Sequence, residues 1–245
     1  NENLTIKNYG NLTFRNVTLT LNNTVWNNTI LVDNFGNFSI LANSKPSKIN
    51  GTGGGGDYRF IINNSRFFIK DSFIYNAGIS GDGANNTDEG VYIFNGNINF
   101  INTSVESTLY KNATSTIIII NTSNAYFYGV KVNKTGLGVA TTASRFIGKA
   151  FYLNNVSNSN FTDVVVNLSL DSRGFDIYGG SNNNTFDRVI IESNFTAFVI
   201  VDSTENKIYN SVILVSSTTL TIGDGIKISN ANNTVFKNLT ASKAT

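Results

Sequence analysis

The chain has 245 residues and a net charge of +2, with 14% charged residues against roughly 25% in ordinary soluble proteins, too little charge for electrostatic capture of nucleic acid. Cysteine, methionine and histidine are absent, which excludes disulfide frameworks, thiolate and imidazole metal sites, Cys or His nucleophile–base pairs and haem ligation. The longest aliphatic run, Ile117–Ile120, is far short of the roughly 20 residues a membrane helix needs. Since no Met begins the chain, Asn1 is expected to be a mature end after signal-peptide removal or a fragment boundary.

Polar surface is supplied instead by 41 Asn and 49 Ser or Thr. Random placement of these would give about eight Asn-X-Ser/Thr triplets (41 × 49/245), whereas twenty occur. They begin at Asn3, Asn11, Asn16, Asn22, Asn27, Asn37, Asn50, Asn63, Asn85, Asn102, Asn112, Asn121, Asn133, Asn155, Asn160, Asn167, Asn183, Asn194, Asn232 and Asn238. Each is an N-glycan acceptor of the kind used on secreted surfaces, so covalent N-glycans are expected and no other cofactor is. Alternation of polar and apolar residues along half-buried strands makes some triplets by itself. Asn is a poor strand residue, however, so alternation accounts for the Thr and not the Asn.

Helical periodicity is nowhere sustained, while two-residue alternation recurs from end to end, which predicts an all-β chain. A longer period overlies it. Taken in chain order, an apolar anchor recurs at Phe14, Phe38, Phe68, Phe100, Phe127, Phe161, Phe186, Ile208 and Val235, in steps of 24, 30, 32, 27, 34, 25, 22 and 27 residues. Unequal steps fit a fixed strand frame with variable outward loops, and the expected insertions are 44–57 (with Pro46 and Gly53–Gly56), 79–90 and 133–149. In the second half a strand headed by Phe151, Phe175, Phe198 or Ile226 leads through an Asn/Ser turn into each anchor segment. Asn184, Asn206 and Asn233 each precede an anchor by two residues and are expected to form an internal or turn ladder of side-chain amides.

The segments Ser181-Asn182-Asn183-Asn184-Thr185-Phe186 and Asn232-Asn233-Thr234-Val235-Phe236-Lys237-Asn238-Leu239 resemble the Asn-rich repeat of right-handed parallel β-helix proteins, the pectate-lyase-like superfamily with its NosD-type repeat members. The resemblance is clearest over 148–245 and implies one right-handed parallel β-helix domain, 1–245, of about nine rungs. Physics points the same way, because a 22–34-residue coil cannot bury its apolar faces alone and must stack. An immunoglobulin-like sandwich would instead show strands every 8–12 residues and no long register. Copper-associated relatives would require His, Met or Cys ligands, which this chain lacks. Absence of Cys with many acceptors is also similar to archaeal surface glycoproteins.

Catalytic candidates are few. Asp163, Asp171, Asp176 and Asp187, with Arg173 and Arg188, lie on neighbouring rungs and are the best carboxylate cluster for acid–base work or Ca²⁺, but ion pairs such as Asp187–Arg188 and solvated loop acids are the stronger explanation. The Gly-His-Gly segment of galacturonase-type relatives is impossible without His, and Asn86-Thr87-Asp88 alone does not replace it. Asp82, Asp88 and Glu89 with Asn85 and Asn86 match no EF-hand spacing. Gly53–Gly56 lacks the Lys-Ser/Thr of a phosphate loop and reads as a surface loop. Trp26, Tyr58, Tyr75, Tyr110 and Tyr178 would either stack on sugars or pack internally.

Neither 1–8 nor 241–245 offers a helix to block the strand edges a β-helix exposes, so either neighbouring domains have been removed or another copy of the chain covers each edge, and the second option makes a filament or lattice. The expectation is therefore a non-enzymatic extracellular structural glycoprotein, a cell-surface filament or layer subunit whose partners are further copies of itself, and surface glycans. The alternatives are a carbohydrate-active β-helix enzyme (a polysaccharide lyase or glycosidase) using the Asp163/Asp187 region, and an adhesin or receptor-binding spike.

Overall fold

An apolar residue at every second position gives each strand one face to bury, and the partner for that face has to come from the next coil. The computed structural model describes residues 3–21, 28–51, 56–79, 90–108, 115–135, 148–168, 172–193, 195–215 and 225–243. Among them there is no helix; three parallel sheets wind about one lumen as a right-handed β-helix. Each coil gives one strand to each sheet in turn. The first contributes Asn3–Ile6 to sheet 1, Asn11–Arg15 to sheet 2 and Thr18–Leu21 to sheet 3. The last contributes Ile226–Ser229, Val235–Lys237 and Thr240–Lys243. Among the described residues each sheet runs through nine parallel strands, and Gly78–Ile79 adds an antiparallel strand beside Gly56–Asn63.

The lumen is aromatic. Phe151, Phe175, Phe198 and Ile226, the expected heads of successive rungs, pair directly across sheet 1. Facing them on sheet 2, Phe100, Phe127, Phe161, Phe186 and Ile208 share one row. Within that row the rings lie flat on one another at 4.8, 4.9 and 4.8 Å, the spacing of stacked strands. They meet the sheet 1 rings edge-on at 75–88°, which suits the ring quadrupole. Each fully buried Phe contributes about 1.5–3 kcal/mol of burial.

Three expected anchors sit elsewhere. The row continues through Ile69 and Ile40 to Phe14, and ends at Phe236. Phe38 occupies a second inward row with Leu12, Phe67 and Ile98. Phe68 and Val235 point outward, Val235 being 44% exposed, and Phe67 and Phe236 take the inward places. The physical reason is the period of two: in the doublets Phe67-Phe68 and Val235-Phe236 either phase offers an apolar residue, and a slip of one reverses the face. Within the expected insertion 44–57, Lys48–Gly51 is a sheet 3 strand; residues 52–55, 80–89 and 136–147 lie outside the described set.

Corners explain the asparagines. A coil turns from sheet 1 to sheet 2 through one residue in the left-handed region, and Asn8, Asn34, Asn64, Asn95, Asn121, Asn155, Gly179, Asp202 and Asn230 fill that position coil after coil, with φ of 46–58°. Between sheets 2 and 3 the position is filled by Asn16, Asp71, Asn102, Gly129, Asp163, Arg188, Asn210 and Asn238. Among the described non-glycine residues at positive φ, sixteen of twenty-three are Asn, the side chain that tolerates this region best. Their amides link the coils: Asn155 Nδ2 donates to Asn121 Oδ1 (2.9 Å), Asn183 Nδ2 to Asn158 Oδ1 (2.7 Å) and Asn238 Nδ2 to Asn210 Oδ1 (3.0 Å). The residue after a corner is repeatedly a buried Ser or Thr whose hydroxyl donates to the carbonyl two residues back, as at Ser72, Thr103, Thr122, Ser203 and Ser211.

The expected internal ladder exists at two of its three members. Asn184 and Asn206 are fully buried. Asn184 Nδ2 donates to Val156 O and Asn206 Oδ1, while its Oδ1 accepts from Ser159 N (3.0 Å). Asn233 is instead an exposed corner residue at φ 54°, and Thr234 follows Asn206 in the column. This error has the same origin as that at Val235.

Candidate functional site

Beside the first corner of two successive coils stands the same triplet, Asn8-Tyr9-Gly10 and Asn34-Phe35-Gly36. Here the turn takes two left-handed residues, and the second is aromatic: Tyr9 at φ 64° and Phe35 at φ 63°. Such a conformation costs on the order of 1–3 kcal/mol for a bulky side chain. Gly36 must follow without a Cβ, which would lie 2.6 Å from Ile6 O. The two rings stack at 5.2 Å and 9°, yet remain 70% and 54% exposed.

These rings wall a groove on the outer face of sheet 2. Its floor is two outward columns in strict register, Asn37–Arg66–Asn97 and Ser39–Phe68–Asn99. Two adjoining depressions of about 400 and 310 Å³ share Asn37, Arg66 and Asn97, and Asn64, Ser65 and Asn95 close the first. The amides of Asn37, Asn64, Asn95, Asn97 and Asn99 and the Arg66 guanidinium make no side-chain hydrogen bond or ion pair among the described residues, whereas Asn34 Nδ2, one corner earlier, donates to Asn8 Oδ1. The groove thus offers a flat apolar wall, free amide donors and acceptors, and one cation.

The expected acidic cluster divides between two faces. At the corner between sheets 2 and 3, Arg188 forks onto Asp163 (Nε–Oδ1 2.6 Å, Nη2–Oδ2 2.9 Å) and also pairs with Asp187. The Arg188 hydrogen bonds hold the Asp163 carboxyl below its ordinary range, and they raise the guanidinium in turn. Asp163 is therefore an ionised acceptor, not a proton donor, at neutral pH. Asp176 lies apart on the outer face of sheet 1, 1% exposed, with Arg173 Nη1 3.0 Å from its Oδ2. Burial pushes its carboxyl up against the opposing pull of Arg173 and Lys149. Lys149 sits over the Tyr152 ring at 4.9 Å, and Tyr152 packs on Tyr178, whose phenol is raised first by its own burial. Asp171 lies outside the described residues, as do Asp82, Asn85, Asn86, Asp88, Glu89, Trp26 and Tyr110.

Fifteen of the twenty acceptor asparagines are described; Asn22, Asn27, Asn85, Asn112 and Asn194 are not. Asn3, Asn11, Asn16, Asn102, Asn121, Asn155, Asn160, Asn232 and Asn238 are exposed, and Asn37, Asn50, Asn63, Asn133, Asn167 and Asn183 are half-buried. The buried asparagines among the described residues, Asn28, Asn184 and Asn206, all fall outside triplets. Six acceptors, Asn16, Asn102, Asn121, Asn155, Asn183 and Asn238, also occupy left-handed turns, so part of the triplet excess has a conformational cause.

Of the aromatics considered from sequence, Tyr58 is buried with its hydroxyl donating to Tyr75 O (3.2 Å), while Tyr75 and Tyr178 are half-buried. Among the described residues the exposed rings are Tyr9, Phe35, Tyr126 and Tyr128. The signal for the first two was the repeated Asn-aromatic-Gly, 26 residues apart.

Fold and surface together define a parallel β-helix protein with an Asn-lined exterior. No family model matches the chain, and no curated protein matches it in sequence. Among solved structures it is similar to the periplasmic alginate epimerase AlgG, at 10% identity over 99% of this chain and 77% of that one, TM-score 0.33. It is also similar to the Streptococcus pneumoniae surface protein and adhesin PfbA, at 11% identity over 98% of this chain and 90% of that one, TM-score 0.32. Likeness at this level carries nothing about activity.

Proposed function

We propose that the chain is a non-enzymatic structural glycoprotein of the cell exterior, a β-helical rod that assembles head to tail with copies of itself. One observation carries this reading: the inward columns of the first and last described coils match in position and in apolar character. Laid end to end, Ile226 would follow Leu4, Ile228 would follow Ile6 and Phe236 would follow Phe14, each in the column it already occupies. The corner asparagines Asn230 and Asn238 would meet Asn8 and Asn16, which share their left-handed geometry. Such contacts are heterologous and do not close, so they propagate, and they cover strand edges that otherwise invite aggregation.

The carbohydrate-active alternative loses its chemistry where it was best placed, because Asp163 and Asp187 are both committed to Arg188. Exposed acceptor asparagines support the glycoprotein reading, and a sugar coat suits a surface poor in charge.

The test uses the absence of cysteine. Cys placed at both Asn16 and Asn238 would be one rung apart across a junction, within disulfide reach. Oxidation of this double variant should give a ladder of linked oligomers, and electron microscopy of the parent should show rods of varying length. Monomers alone at high concentration, with no linked ladder, would overturn the proposal.

A further inference from the structure

The geometry points to the sheet 2 groove as the seat of the sugar chain attached at Asn37, which would lie bound along the protein while chains at other acceptors extend into water. This rests on the glycoprotein reading. Asn37 is the first residue of the strand Asn37–Leu41 and points outward, since Phe38 beside it is buried. It belongs to the triplet Asn37-Phe38-Ser39 and lines both depressions, and its amide is unpartnered among the described residues. A sugar joined to its Nδ2 therefore starts inside the groove.

The surroundings suit a carbohydrate. Pyranose rings carry an apolar face and a rim of hydroxyls. The stacked Tyr9 and Phe35 rings offer a flat wall for the face. Arg66 and Asn97 follow Asn37 in its column, one rung apart, with donors for the rim, and Asn64, Asn95 and Asn99 add further amides. Two aromatic residues held in the left-handed region and left exposed gain little beyond their mutual stacking, and backbone strain of this kind gathers where ligands are held. A polyphosphate ligand is disfavoured, because the lining residues hold a single cation and nucleic acid needs several. Asn160, exposed further along the same sheet and lining neither depression, is the internal control.

The experiment takes protein from a glycosylating host and measures, by glycopeptide mass spectrometry, occupancy and the rate of release by peptide-N-glycosidase under native conditions. Asn37 should be occupied and released at least tenfold more slowly than Asn160. The double variant Tyr9→Asn, Phe35→Asn, which keeps residues that accept positive φ, should bring the two rates together, and Arg66→Ala should narrow the gap. Denatured protein should show no difference between the sites. If Asn160 and others are modified while Asn37 is bare, or is released as fast as Asn160, the inference fails and the glycoprotein reading stands. If no acceptor is modified in native material, the glycoprotein reading itself fails.

Discussion

Two stacks of aromatic rings run along this molecule at almost the same spacing, one inside and one out. Phe127, Phe161 and Phe186 lie in the lumen at 4.9 and 4.8 Å with no exposure, on unstrained strand backbone. Tyr9 and Phe35 lie outside at 5.2 Å, mostly exposed, on backbone at positive φ. The inner stack removes apolar surface from water and holds the coils together; the outer stack removes little and strains its turns. Equal stacking geometry therefore serves stability in one place and presents a surface in the other.

Breaking the inner stack should have the largest effect. Phe161→Ala should cost about 3–5 kcal/mol, read from urea unfolding, because the neighbouring rings on both sheets cannot close the cavity. Next in size is Asn184→Ala. It leaves Ser159 N without its acceptor, while Val156 O keeps Asn182 N as a donor, at about 1–3 kcal/mol for the orphaned group. A shifted urea midpoint with an unchanged slope would show it.

Asp176 sharpens the comparison through pH. Its folded carboxyl lies above the ordinary value of 3.8, so the folded state holds a proton that the unfolded state releases, and stability falls as pH rises from that value toward the folded one. Asp176→Asn should abolish this decline while leaving Arg173 a partner, as midpoints from pH 3.5 to 7.5 would reveal. Arg188→Ala acts with the opposite sign and more weakly. Asp163 is held below its ordinary range, so the pair contributes above that range and the contribution is lost as pH falls; being exposed, it is also screened by salt. The variant and the parent should converge on acidification or in 1 M salt.

The smallest expected change is Phe35→Asn. Lost stacking and relieved backbone strain oppose each other, leaving stability within about 1 kcal/mol of the parent. A loss as large as that of Phe161→Ala would mean that the outer stack is part of the core.

Much of the lumen was legible in the residues because a buried column needs the same kind of side chain at each rung. The sheet 1 heads Phe151, Phe175, Phe198 and Ile226, and the sheet 2 row from Phe100 to Ile208, follow from that rule. Where two apolar residues adjoin, as at Phe67-Phe68 and Val235-Phe236, alternation is silent about phase, and the phase was misread. The asparagine surplus was legible as a count but not as a cause. That a corner residue is left-handed depends on three sheets meeting at fixed angles, and no local pattern of strand residues records that angle. The groove was less legible still, since Tyr9, Phe35, Asn37, Arg66 and Asn97 come from four widely spaced stretches that only stacking brings side by side.

The sequence by itself determined an all-β coil stack with a phenylalanine interior and a charge-poor, asparagine-rich exterior, because burial and alternation act on each residue locally. Tertiary structure decided which face each adjoining apolar pair presents, which acidic residues meet Arg188 and which asparagines stand free around Asn37. Those outcomes depend on register between strands more than twenty residues apart, and register is fixed only when whole coils pack.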